Sequence, residues 1–290
     1  MNMPEAVDAA WMRDHPLPAA GDGGKAARGR VLVIGGGVEL TGATLLAGVA
    51  ALRAGAGKLQ VAVAKAAVAT LSVALPEARV LALPEAASDQ ATAKAVATIA
   101  EQASNCDALL IGPGMMDDGD GLAASLLARK TRCAIVLDAG ALDAAAASRE
   151  SQLVLTPNAG EMARMLDWPK SRIDADPLDA GRQAAARFKA IVVAKGAVTY
   201  VVGADGRAGR YAGGGPGLGV SGSGDVLGGL ITGLLARGVS PFEAAAWGVY
   251  LHGEAGARLA SRIGKLGFLA REIADEAPSI LAGFDCAPDR

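Results

Sequence analysis

Short apolar runs with few polar interruptions recur along this chain, most of them ending in a turn of small residues, and they limit its fold more than any other feature. VLVIGGG (31–37), LQVAV (59–63), ARVLAL (78–83), DALLIGPG (107–114), CAIVLDAG (133–140), QLVLTPNAGE (152–161) and IVVAKG (191–196) have this form. Helical stretches lie between them. Thr41 opens GATLLAGVAALRAG, where Leu45, Leu46, Val49 and Leu52 mark one face and Gly55 closes the turn. Further helices are expected from Ser88 to Ala103 and from Gly121 to Arg129. Continuous Val/Ile/Leu runs belong to strands buried on both faces, and repeated strand–helix alternation implies right-handed crossovers with helices on both sides. The expected fold is α/β, a doubly wound, mostly parallel sheet.

The pattern changes late in the chain. VTYVVGADGRAGRYAG (198–213) holds two short β runs around an Asp-Gly turn, so an antiparallel hairpin edge is expected there. A buried helix begins at Asp225, and Ser240-Pro241-Phe242-Glu243 reads as a capping box opening a second long helix. No linker, composition shift or repeat interrupts the interior. One domain is expected over 26–290, preceded by an acidic, alanine- and proline-rich arm over 1–25. Ligands of open α/β sheets sit outside the carboxyl ends of the strands, where the GGG, GPG, DAG, TPNAGE and AKG loops all fall.

A net charge of −2 without a basic block gives no reason to expect nucleic acid or a membrane surface as partner; a small molecule is expected instead. Three cysteines, Cys106, Cys133 and Cys286, are odd in number and far apart in sequence, which suits neither a disulfide framework nor a metal site and points to a reducing cytoplasm. No signal peptide and no membrane-length apolar run is evident.

The chemistry is concentrated in GGGPGLGVSGSGDVLGGLITGLLARG (213–238). A glycine loop feeding a helix N-terminus is an anion site, because the first N–H groups have no intrahelical acceptor and the dipole is positive there. Within it Asp225 suits a general base or a magnesium-organising group; equally, it is a good residue for a helix start. Two familiar phosphate motifs fail. The third glycine of a G-x-G-x-x-G beginning at Gly35 would be Leu40, and Gly24-Lys25 and Gly57-Lys58 lack the Ser or Thr of a P-loop. Lys195, leaving a buried strand, either pairs with a nucleotide phosphate or is solvated. Asn158 and Glu161 fit one helix face, but on spacing alone they are better read as an N-cap and its N3 partner. Asp138 either reaches the cleft or caps the next helix. His15 is expected to be exposed, and His252 to serve packing or an interface.

In combination these motifs are more specific. GSGD opening a late buried helix, preceded by AKG-x-x-T and TPN-x-x-E, resembles the ribokinase-like superfamily. With VLVIGGG-x5-GATLLAGVAALRAGAGKLQVAV, PEARVLAL, LLIGPG and LTPNAGEMARML, the chain is most similar to its ADP-dependent NAD(P)H-hydrate dehydratases, over roughly residues 22–275. The resemblance implies that Ala43, Gly114, Asn158 and Asp225 contact hydrated NADH or NADPH. It implies that Lys195, Gly196, Ala197, Val198 and Thr199, with Gly222, Ser223 and Gly224, hold ADP as co-substrate. Asp225 is the implied catalytic base, and Glu161 the implied contact, through water, to Mg2+. Asn158 stands where these dehydratases usually have histidine. The resemblance further implies a homo-oligomer, a tetramer by preference, and a separate NAD(P)H-hydrate epimerase acting on the same metabolite. A ribokinase-like kinase using ATP on a vitamin precursor or sugar alcohol is the alternative, and a catalytically silent nucleotide-binding protein a further one.

Overall fold

Successive residues of a strand point to opposite faces of a sheet, so a run without polar positions must be covered on both. The computed structural model, which describes residues 3–19, 23–83, 89–116, 121–129, 132–148 and 152–284, satisfies this with one sheet between two helical layers. The first half of the chain runs β1 (Glu5–Ala6), α1 (Ala9–Asp14), α2 (Gly24–Ala27), β2 (Arg30–Ile34), α3 (Thr41–Arg53), β3 (Lys58–Ala64), α4 (Val68–Ala74), β4 (Ala78–Leu83), α5 (Asp89–Ala103), β5 (Ala108–Ile111), α6 (Leu122–Leu127), β6 (Ala134–Leu137). After a 3₁₀ stretch over Ala139–Ala147 come β7 (Leu153–Leu155), α7 (Ala159–Leu166), α8 (Lys170–Ala175), α9 (Pro177–Phe188), β8 (Ile191–Ala194), β9 (Thr199–Val202), β10 (Ala208–Tyr211), α10 (Ser223–Ala236), α11 (Pro241–Arg262) and α12 (Ala270–Ala282). The Ser88 start expected for α5 and Cys286 lie outside the described residues.

The strand order is β1-β10-β9-β8-β7-β6-β5-β2-β3-β4, parallel throughout except where the hairpin reverses β9 against β8 and β10. Chain direction across the sheet switches between β2 and β5, the position at which doubly wound sheets open a crevice. Side chains alternate as the pattern requires. Val31, Val33, Leu110 and Val136 enter the core under α3, α10, α11 and α12, while Leu32, Ile34, Leu109, Ile111 and Ile135 enter the core under α5 to α9.

The face of α3 that is fully buried is not the expected leucine face. Ala47, Ala50, Ala51 and Ala54 are at 0% exposure, whereas Leu45, Leu46, Val49 and Leu52 are only partly buried. The cause lies in α10, whose glycines let the two helices approach until only alanine fits between them. A methyl group on Gly229 would stand 2.2 Å from the Ala47 carbonyl oxygen, and one on Gly233 would stand 2.3 Å from that of Ala51.

The N-terminal arm extends the same sheet. β1 pairs in parallel with β10, and α1, capped by Asp8, buries Trp11 and Met12. His15 is half-buried rather than exposed: its ring stacks on Trp11 at 3.8 Å and its carbonyl accepts from Trp247 Nε1 at 2.8 Å. Two other local expectations change. Ser240 occupies the N-cap of α11 ahead of Pro241, but its side chain makes no capping bond. Cys106 and Cys133, distant in sequence, are buried side by side next to the paired starts of β5 and β6, with no disulfide between them.

Candidate active site

The start of α10 organises the site. Gly222 takes a left-handed φ of +88° that turns the glycine loop into the helix, and no side chain caps the first turn. The N–H groups of Gly224 and Asp225 consequently have no intrahelical acceptor, and both residues line a cavity of about 1010 Å³. Its walls come from the carboxyl ends of β6, β7 and β8 (Asp138, Asn158, Glu161, Lys195, Gly196, Ala197), from Thr199, Tyr211 and the 213–220 loop, and from α11 (Val249, His252, Gly253).

Charge in this cavity is ordered around one lysine. Lys195 Nζ lies 3.0 Å from Asp138 Oδ1 and 3.8 Å from Glu161 Oε2. Burial works against the ammonium, but Asp138, Glu161 and, more weakly, Asp225 outweigh it and hold the lysine pKa above its ordinary value. Asp138, 3% exposed, also accepts from Thr156 Oγ1 at 2.7 Å, so it reaches the cleft as a buried anchor for Lys195 and caps no helix. Asp225 differs. Among the described residues its carboxylate makes no hydrogen bond and no ion pair within 4.0 Å. Burial, then the neighbouring Asp138 charge, push it up to about 6, with Lys195 pulling the other way. A carboxylate that is unpaired, faces a cavity and titrates near neutrality is equipped to accept a proton.

Asn158 and Glu161 do form the expected capping box. Asn158 Oδ1 accepts from the N–H groups of Gly160 and Glu161, and Glu161 Oε2 accepts from Asn158 N at 2.7 Å. The same two side chains nevertheless line the cavity, so cap and site coincide. Gly196, Ala197 and Thr199 line it as well; Val198 instead faces an adjoining cavity of about 320 Å³ under α7 and α9. Ala43 and Gly114 lie apart from both, against each other at the β2/β5 switch point. The Gly36 N–H donates to the Pro113 carbonyl there at 2.7 Å, and a methyl on Gly114 would stand 3.1 Å from Ala43 Cβ. Gly222 connects the two regions: a methyl on it would stand 2.5 Å from Leu46 Cδ1 of α3 and 4.0 Å from Asp225 Oδ2. Asp225 is thus placed on the wall of the large cavity, with Gly222 between it and Leu46 of α3.

His252, expected only to pack, faces this cavity. Its Nε2 lies 2.8 Å from Ser223 Oγ and 3.1 Å from the Ser223 carbonyl oxygen. Periodicity could not reveal this, since the pairing joins two helices 29 positions apart. Among the described residues no three His, Cys, Asp or Glu side chains are grouped to hold a metal ion, and the Lys195 ammonium lies between Asp138 and Glu161.

Comparison with known proteins gives the family. A family model described as NAD(P)H-hydrate dehydratase matches residues 31–279. The ADP-dependent (S)-NAD(P)H-hydrate dehydratase of Xanthomonas campestris pv. campestris is 47% identical over 279 residues, 95% of each chain. A bifunctional NAD(P)H-hydrate repair enzyme of Moorella thermoacetica is 37% identical over 96% of this chain, which spans 54% of that protein. The solved ADP/ATP-dependent NAD(P)H-hydrate dehydratase of Bacillus subtilis, co-crystallised with ATP and Mg2+, superposes with a TM-score of 0.84 at 27% identity, covering 98% of this chain and 100% of that one.

Proposed function

The chain belongs to the NAD(P)H-hydrate dehydratase family, and from that premise we propose that Asp225 is the base with which it dehydrates hydrated NADH and NADPH at the expense of ADP. The activity is that of a lyase that returns damaged nicotinamide cofactors to use; the small-molecule kinase alternative is not favoured by the relatives. What carries the residue assignment is the unpaired carboxylate of Asp225 in the first turn of α10, on the wall of the large cavity.

In this reading the large cavity takes ADP. Lys195 neutralises phosphate, the segment from Lys195 to Thr199 lies along the nucleotide, and the N–H groups behind Gly222, Ser223 and Gly224 face its terminal phosphate. Ala43, Gly114 and Asn158 contact the hydrated ring. Asp225 removes the proton of the C6 hydroxyl, whose oxygen attacks the terminal phosphorus of ADP; AMP leaves and a phosphate ester remains on C6. The lone pair of the ring nitrogen then expels phosphate, and loss of a proton from C5 restores the C5=C6 double bond. The sum is NAD(P)H, AMP and inorganic phosphate.

Magnesium fits only as an ion that arrives with the nucleotide. Mg2+ keeps much of its water shell beside phosphates, so Glu161 would hold it through water, where it would neutralise phosphate charge. The (S) in the relative's name supports use of one epimer only, which requires a separate NAD(P)H-hydrate epimerase for the other. Bifunctional relatives of about twice this length support the same pairing of activities. A reducing cytoplasm accords with buried Cys106 and Cys133 standing side by side without a disulfide, and among the described residues no helix is long and apolar enough to cross a membrane. A homo-oligomer, by preference a tetramer, completes the reading on the resemblance alone.

The test is stoichiometry. One AMP and one phosphate should appear per NADH formed. Loss of hydrate with ADP consumed but no NADH formed would leave a phosphotransferase instead.

A further inference from the structure

The proposed chemistry leaves His252 without a task, although its ring reaches into the same cavity as Asp225. A carbonyl oxygen only accepts, so the 3.1 Å contact of Nε2 with the Ser223 carbonyl is a hydrogen bond in the tautomer that carries the ring proton on Nε2, which also lies 2.8 Å from Ser223 Oγ. Ser223 is the first residue of α10, directly ahead of the Gly224 and Asp225 N–H groups. This turn lacks what normally fixes a helix start. Gly222 contributes no side chain, and its left-handed backbone is one that glycine leaves easily. α11 packs along α10, so a hydrogen bond from α11 to residue 223 ties the loose turn to a buried neighbour.

We propose that His252 is a positioning residue whose Nε2–H, given to the Ser223 carbonyl, aims the first-turn N–H groups of α10 at the terminal phosphate of the nucleotide. Burial supports this role by lowering the His252 pKa to about 4, against the Ser223 bond and with Lys195 adding to it. The ring therefore stays neutral at working pH. It supplies a donor without adding a second cation beside Lys195.

The inference rests on the nucleotide reading of the cavity, and two ligands separate the two claims. Calorimetry with ADP and with adenosine, on the wild type, His252→Gln and His252→Leu, isolates the contribution of the phosphates. The glutamine amide reaches the same place with an N–H; leucine fills the space without one. In the leucine variant ADP should bind about tenfold more weakly, the size of one lost hydrogen bond, with adenosine unchanged. Its kcat should fall by at least about tenfold, because the hole acts most strongly on the developing charge. Glutamine should recover most of both. Unchanged ADP binding in the leucine variant, equal weakening of adenosine, or a glutamine variant no better than leucine would each overturn the proposal. A wild-type protein that fails to bind ADP overturns the nucleotide reading itself.

Discussion

Replacing Asp225 by Asn gives opposite signs for stability and activity if the carboxylate is a base held in an unfavourable place. Burial, followed by Asp138, raises its pKa from 3.8 to about 6 in the fold. The native state then holds that proton more tightly than the unfolded chain does. Ionisation costs stability progressively as pH rises from about 4 through about 6, and the full cost is present above that range. The difference corresponds to about 3 kcal/mol. Water reaching the half-buried carboxyl reduces this to about 1–2 kcal/mol. Asparagine keeps the shape without the charge, so at pH 8 the variant should melt a few degrees higher than the wild type, and the gain should vanish near pH 4. Its kcat should fall by about a hundredfold or more because an amide cannot accept the proton, while ADP affinity stays near wild type since the backbone donors remain. Thermal unfolding at both pH values, ADP calorimetry and the rate of NADH formation, all on one preparation, make the test. A well-folded variant with wild-type kcat refutes the base. A variant less stable than wild type at pH 8 refutes the electrostatic argument.

Other consequences follow from the same geometry. The pH profile of kcat/KM should show an acid limb near pH 6, with about a tenfold loss from pH 7 to pH 5 as Asp225 protonates; a flat profile across that range would remove Asp225 from the proton transfer. Asn158→His should retain activity, whereas Asn158→Ala should raise KM for the hydrate by the equivalent of about 1–2 kcal/mol and cost about 1 kcal/mol of stability as the cap is lost. A lower melting temperature with unchanged KM would reduce Asn158 to a cap. Gly229→Ala places a methyl 2.2 Å from the Ala47 carbonyl oxygen and should destabilise by at least about 1–3 kcal/mol in denaturant titration; a neutral outcome would contradict the close α3–α10 packing.

The parts of this structure legible in the sequence are those dictated by local pattern. Continuous runs such as LLI and AIVL announced strands covered on both faces, and Asp205-Gly206 announced the hairpin, because burial and turn geometry act within a few residues. The motif loops also fell at the expected sheet edge. Patterns failed where a distant partner decides. The buried face of α3 is set by glycines of α10 about 180 positions later, a contact that the helical spacing within α3 cannot report. Asp138 acquires its role from Lys195 and Thr156, and His252 from Ser223, none of them neighbours in sequence. The arm reads as a polar tail, yet it finds the unpaired edge of β10 and a place for Trp11 and Met12 in the core.

The central claim is tested most directly by absorbance in the reduced-nicotinamide band. Hydrated NADH or NADPH lacks the conjugated ring that absorbs there, so purified hydrate mixed with the enzyme reports dehydration alone. With ADP the band should return to the level of an equal amount of authentic NAD(P)H, and with ATP it should return slowly or hardly at all. No recovery with ADP, together with ATP-driven phosphorylation of a small alcohol, would contradict the account.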